Sequence, residues 1–330
     1  MTRIYAALRD ALVVLEGTDE EWTLRERFAD HDLECVAASP DVPDRVFCGT
    51  FDAGLRRSTD GGETWDRVGG DVVGESVTAV TVSPHDPDEV WVGTEPSRVY
   101  HSTDAGETWA ERPGLTDLPS SEEWYFPPRP ETHHVRWISQ SPHDPDRLAV
   151  SIEAGALVTS DDGGETWTDR VPTARRDNHT LATHPDAPGR LYAAAGDGYA
   201  ETTDGGETWD HSQAGLDHRY CWSVAVDPGD PDTVVVSSAS SAWTAHTPSE
   251  AESYVYRSED GEWKRTMDGL PDPDGLLRAV LAPGGDGEFF ALTNHGPYRS
   301  TDAGRSWRPL DVDWHDGYRG QAPRGMAVVP

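Results

Sequence analysis

The segment Ser58-Thr-Asp-Gly-Gly-Glu-Thr-Trp65 returns along the chain as Ser102–Trp109, Ser160–Trp167, Thr202–Trp209 and Ser300–Trp307. A shortened copy runs Ser258-Glu-Asp-Gly-Glu-Trp263. The common frame is Ser/Thr-x-Asp-x-Gly-x-Thr/Ser-Trp. Recurrence of this kind constrains the fold strongly, because each unit is one supersecondary element that buries its apolar face only against its neighbours. Asp60 and Ser58 are placed to bond their own backbone around a tight turn. Gly62 supplies a dihedral that other residues avoid. Trp65 enters the next strand as an apolar anchor whose indole N–H needs a partner. The frame reads as a hairpin turn with its own clasp.

The tryptophans serve as a ruler. Trp22, Trp65, Trp109, Trp167, Trp209, Trp263 and Trp307 are separated by 43, 44, 58, 42, 54 and 44 residues. Trp22 keeps the spacing without the box, which makes seven units. Periods in the forties match one four-stranded propeller blade. Units open with a strand ending in proline, such as Thr78–Pro84, followed by a turn such as His85-Asp-Pro-Asp88. A second strand (Glu89–Gly93) and a third (Arg98–Ser102) lead into the box. The first unit lacks the opening strand, and Gly325-Met-Ala-Val-Val-Pro330 carries that pattern at the other end. The expectation is one all-β domain over 1–330, a seven-bladed β-propeller of four-stranded antiparallel blades. The blades fall at 3–28 plus 325–330, 34–68, 77–112, 134–170, 178–212, 221–266 and 276–310. The C-terminal strand pairs with the N-terminal blade, closing the ring and removing two exposed edges.

The boxes resemble the Asp-box family, also called BNR repeats, over nearly the whole chain. That resemblance implies that the box joins the third and fourth strands of a blade, away from the ligand face. It makes Asp60, Asp104, Asp162, Asp204, Asp260 and Asp302 structural, together with Trp65, Trp109, Trp167, Trp209, Trp263 and Trp307. The chain looks like single-domain Asp-box propellers of two kinds. One is related to photosystem II assembly factors, which bind a partner chain through an arginine-bearing face. The other is sialidase-like.

Charge narrows the partners. There are 60 acidic against 27 basic residues, a net charge of −33, and Lys264 is the sole lysine. This balance resembles proteins of halophilic archaea, whose acidic surfaces hold hydration where salt screens repulsion. It argues against nucleic acid, since phosphate contacts need a basic face. The N-terminus reads as no signal peptide and no run is long enough to span a membrane. Cys35, Cys48 and Cys221 show no metal spacing and fit a reduced cytoplasm. The reading is a cytoplasmic monomer with no membrane or nucleic-acid partner and no cofactor.

Two long gaps hold insertions, Arg112–His133 and Ser237–Ser253, and both fall on the rim opposite the boxes. Insertions on one face of a repeat array often mark the binding face. The residues that begin the innermost strands align as Glu34, Thr78, Arg136, His179, Trp222, Arg278 and Arg324. His134 and Tyr220 precede two of them, and loops on this rim add Glu153, Asp197 and His295. Arginine suits a bidentate grip on carboxylate or phosphate, and aromatics beside it can stack a sugar or side chain. The expectation is a pocket for an anionic group of a protein, small molecule or carbohydrate. Its set is Arg136, Arg278, Arg324, His179, Trp222, His134, Tyr220, His295 and Glu34. The alternative is a glycoside hydrolase. The sialidase resemblance would make Arg136, Arg278 and Arg324 the substrate-gripping trio, Tyr220 the nucleophile, and Asp197 or Glu153 the acid. Sialidases are six-bladed with an early Arg-Ile-Pro motif, and this chain departs from both. Sequence spacing supports no metal site, although His134, His179, Glu153, Asp197 and His295 are the residues from which one would be assembled across blades.

Overall fold

Five boxes close in the same way. In the computed structural model, which describes residues 1–18 and 21–330, Ser58 Oγ donates to Asp60 Oδ1 (2.8 Å) and accepts the Gly62 N–H (2.8 Å). Asp60 accepts the Thr64 N–H (2.9 Å) and hydroxyl (2.6 Å). The same four bonds recur around Asp104, Asp162, Asp204 and Asp302. Gly62 holds φ +90°, where a side chain would strain the turn. The Gly61 N–H adds a bond to Asp44 O (2.9 Å), near the start of the second strand, and every full box makes the equivalent bond at or just after its first turn. Boxes and first turns therefore share one rim. Blade connections and second-to-third-strand loops emerge on the other.

The shortened copy differs. Asp260 forms no clasp: Glu259 pairs with Glu262, and Asp260 (φ +54°) and Gly261 (φ +79°) make a two-residue hairpin turn. Its Asp-Gly sequence and twin positive φ are those of a type I′ turn. Asp260 is thus a turn residue and not an Asp-box clasp, while Trp263 still anchors the core at 5% exposure.

The strands form seven antiparallel sheets in a ring. In blades four and five the fourth strand shrinks to a single bridge, Thr159 with Thr168 and Glu201 with Asp210. Gly325–Val329 lies innermost in blade one and pairs antiparallel with Thr2–Ala7, from Arg3↔Val329 to Ala7↔Gly325. Seven apolar clusters fill the seven gaps between neighbouring sheets. Ile4, Val13, Val280, Phe290 and Leu292 seal the seam between blades seven and one. Ala79, Trp91, Ile138, Val150 and Val158 do the same between blades three and four. Each buried Val, Leu, Ile or Phe contributes about 1.5–3 kcal/mol relative to exposure. Adjacent blades approach closely through glycine: a Cβ on Gly93 would stand 2.3 Å from Val135 Cγ1 of the next blade. Among the described residues no helix is long and apolar enough to cross a membrane.

Candidate binding site at the channel mouth

The innermost strands surround a channel with a cavity of about 200 Å³. At mid-depth it is lined by apolar residues such as Val80, Ile138, Leu181 and Val224. Its mouth is polar because of a repeated backbone device. Pairing skips one residue in five innermost strands: Glu34, Thr78, Arg136, His179 and Trp222. Such a bulge takes a residue out of the ladder and re-aims its side chain. In the other two blades Arg278 and Arg324 stand just before strands Val280–Pro283 and Gly325–Val329.

Trp222, 4% exposed, is the centre of the site. The Arg278 guanidinium lies 3.5 Å from its ring centroid and that of Arg136 4.7 Å. His179 (4.5 Å, 32°) and His246 (4.7 Å, 81°) complete the surround. Arg278 is 1% exposed. Its Nε donates to His246 Nδ1 (3.1 Å), Nη1 donates to Pro323 O, and Nη2 has no partner. Glu153 lies 3.6 Å from Arg136 and Glu34 lies 3.4 Å from Arg324; among the described residues Arg278 has no carboxylate partner. Burial first, then the charges of Arg324 and Arg136, push its pKa well down. The indole face offsets part of that cost.

His246 accepts from Arg278 and so carries its proton on Nε2, 3.0 Å from the Tyr220 hydroxyl. Burial and Arg278 push its pKa down to about 2, so it stays neutral. Burial, Glu153 and Asp177 push the Tyr220 phenol up. Across the mouth, burial alone would raise Glu153. The His134 hydrogen bond (3.0 Å) and the nearby Arg136 charge outweigh it and hold Glu153 far below the usual carboxylate range. His134 Nδ1 also faces Glu95 (3.6 Å), which Arg129 of the first insertion grips with two bonds (2.8 and 2.6 Å).

The fold thus gathers Arg136, Arg278, Arg324, Glu34, His134, Glu153, His179, Tyr220 and Trp222. Two expected residues stand apart. His295 is taken up by Gly275 O and Arg319 (both 3.2 Å) and makes no contact with the Trp222 cluster. Asp197 points outward, 67% exposed, onto Arg175 (2.8 Å). Asp177, Glu95 and His246 were not among the residues singled out. Asp177 has a visible signal, an Asp-x-His step opening an innermost strand. His246 comes from the second insertion, on a short helix Ala242–His246 whose Ala245 carbonyl accepts the Arg278 N–H (3.1 Å).

Residues 56–67 match the model of the BNR/Asp-box repeat. No curated protein matches the chain. Among solved structures, the GH74 enzyme of Niastella koreensis is similar at TM-score 0.69 and 16% identity over 92% of this chain and 51% of its own. The GH74 xyloglucanase of Xanthomonas campestris gives 0.66 and 16% over 94% and 52%, so the chain spans about half the length of these enzymes. YCF48 bound to D1 peptide matches at TM-score 0.59 and 17% identity over 84% of this chain and 81% of its own. YCF48 from Cyanidioschyzon merolae gives 0.59 and 16% over 89% and 87%. At such identities the likeness is one of fold. By architecture the chain is a seven-bladed β-propeller, with a match to the BNR/Asp-box repeat at residues 56–67.

Proposed function

We propose that the protein is a binding propeller whose channel mouth takes an anionic group, a carboxylate above all, from a partner chain or small ligand. One observation carries this reading: Arg278 is fully buried, lacks a carboxylate partner and leaves Nη2 unbonded beside two further arginines. A buried charge without a counter-ion is costly. An anion would supply the missing partner in the bidentate geometry that guanidinium favours. The likeness to YCF48, a protein seen with a bound peptide, over 84% of this chain and 81% of its own supports a peptide as the first ligand to test.

The test is a thermal-shift series with acidic peptides bearing a free C-terminus and with sialic and uronic acids. Wild type should be stabilised by at least one of them. Arg324→Gln and Arg136→Gln should each weaken that ligand by about tenfold, the scale of one lost charge-assisted hydrogen bond. No shift with any anion, or shifts in both variants as large as that of wild type, overturns the reading.

A glycoside hydrolase is the second reading, favoured by one feature. Glu153 and Asp177 bring carboxylate oxygens within 4.8 Å, near the roughly 5 Å separation of retaining pairs. Burial and Glu153 raise the Asp177 pKa while Glu153 is held ionised, as an acid and a nucleophile require. Turnover of aryl glycosides that vanishes in Glu153→Gln would establish it.

A further inference from the structure

Glu153, Asp177 and His179 come from two neighbouring blades, and the anion reading does not use them as a set. Glu153 follows strand Leu148–Ile152; Asp177 precedes strand Asn178–Thr183, in which His179 is the bulged residue. One donor atom from each lies within 4.8 Å of the other two. The tautomer of a neutral His179 ring is set by its other nitrogen. His179 Nδ1 is 2.6 Å from Cys221 O, and a carbonyl only accepts, so Nδ1 carries a proton. Nε2 is wholly buried, has no hydrogen-bond partner, and faces Asp177 Oδ1 at 3.7 Å. When neutral, a ring in this pose would turn its Nε2 lone pair toward two carboxylates. That arrangement is unfavourable by itself and favourable around a cation. A backbone carbonyl fixing Nδ1–H is also how metal-binding imidazoles are oriented.

We propose that Glu153, Asp177 and His179 form a binding site for a divalent transition-metal cation of the zinc or manganese class. One imidazole with two carboxylates suits such ions better than the all-oxygen shells of calcium or magnesium. Two ligands at about 2.1 Å on a tetrahedral ion stand roughly 3.4 Å apart, so the His179–Asp177 separation of 3.7 Å needs little adjustment. Both carboxylates are already oriented by other groups. Asp177 Oδ1 accepts the Ala154 N–H (2.8 Å), and Glu153 is held by His134 (3.0 Å) and Arg136 (3.6 Å). Asp177 is 35% exposed, which gives an ion a way in. Three protein ligands leave a position for water or a ligand atom.

This site does not rest on the anion reading, and the two fail separately. The test is titration of the whole protein with cobalt(II), followed by its visible absorption, in excess magnesium to occupy weak carboxylate sites. Wild type should take up one cobalt per chain, displaced by zinc. Asp177→Asn and His179→Gln should each weaken uptake at least about tenfold, the size of loss seen even for groups that only orient metal ligands. Arg324→Gln, which weakens the anion grip, should bind cobalt as wild type does. If His179→Gln does not fold, the partly exposed Asp177→Asn carries the test. No stoichiometric band, or a band equally strong in Asp177→Asn, overturns the proposal.

Discussion

At the scale of single residues, one carboxylate does two unlike jobs in this chain. In the boxes it organises a turn: hydrogen bonds from Thr64 and Ser58 hold Asp60 down at about 2. A carboxyl depressed below its unfolded value of 3.8 stabilises the fold above that pH, and the contribution fades as pH falls toward 2. Asp60→Asn should therefore melt below wild type at pH 6, and the gap should close by about pH 2. Thermal melts at the two pH values check this; a gap that stays constant sinks the clasp as its source. At the mouth, Glu153 lies against His134 and Arg136 instead of closing a turn. The turn was legible in the sequence because the box is local, its partners lying within four residues of Asp60. The mouth was legible only by position. Aligning the start of each inner strand found Arg136, His179 and Trp222, whose bulges make the alignment physical. The same alignment had no means of finding His246, whose place depends on how an insertion folds back. It also set His295 in the site, although hydrogen bonds to Gly275 and Arg319 hold that ring elsewhere.

At the scale of elements, the ring depends on a strand supplied from the far end of the chain. Gly325–Val329 pairs with Thr2–Ala7 along five residues and adds Val329 to the seam cluster with Tyr5, Leu12 and Val46. Removing residues 325–330 would bare the inner edge of Thr2–Ala7, a free template for another chain. It would also forfeit several kcal/mol of apolar burial. The truncated protein should lose its single sharp melt and form higher oligomers, read by light scattering on a sizing column. A monomer with unchanged melting would show that the seam is dispensable. This closure was legible because strand-to-proline pattern and blade count both demanded it. The thin outer strands of blades four and five were not. Beyond Thr168, Asp169 turns to Ser120 of the first insertion, accepting its N–H (2.9 Å) and its hydroxyl. In blade five the side chains of His211 and Gln213 bond Thr173 O and Tyr199 O, so side chains replace the backbone ladder. Both diversions are tertiary contacts with no periodic signal.

At the scale of the whole molecule, a net charge of −33 surrounds a mouth built from arginines. Many arginines elsewhere are already committed, as Arg57 is to Glu107 and Arg190 to Asp232, so they cannot offset the excess far from their partners. Unpaired like charges repel across the compact ring more than across an unfolded chain, and that repulsion is screened by salt. The Debye length falls from about 10 Å at 0.1 M to about 3 Å at 1 M. Potassium chloride over this range should raise the melting temperature. Replacing the exposed acids Asp71, Glu75 and Glu131 by lysine should raise it at 0.1 M salt and flatten its slope against salt, because fewer repulsions then remain to be screened. A slope unchanged by the replacements would mean that the salt acts on apolar burial, through exclusion from the surface, and not on charge. The comparison also bears on the mouth. Screening reaches exposed charges far more than buried ones, so anion capture by Arg278 should survive at 1 M salt when surface repulsion does not.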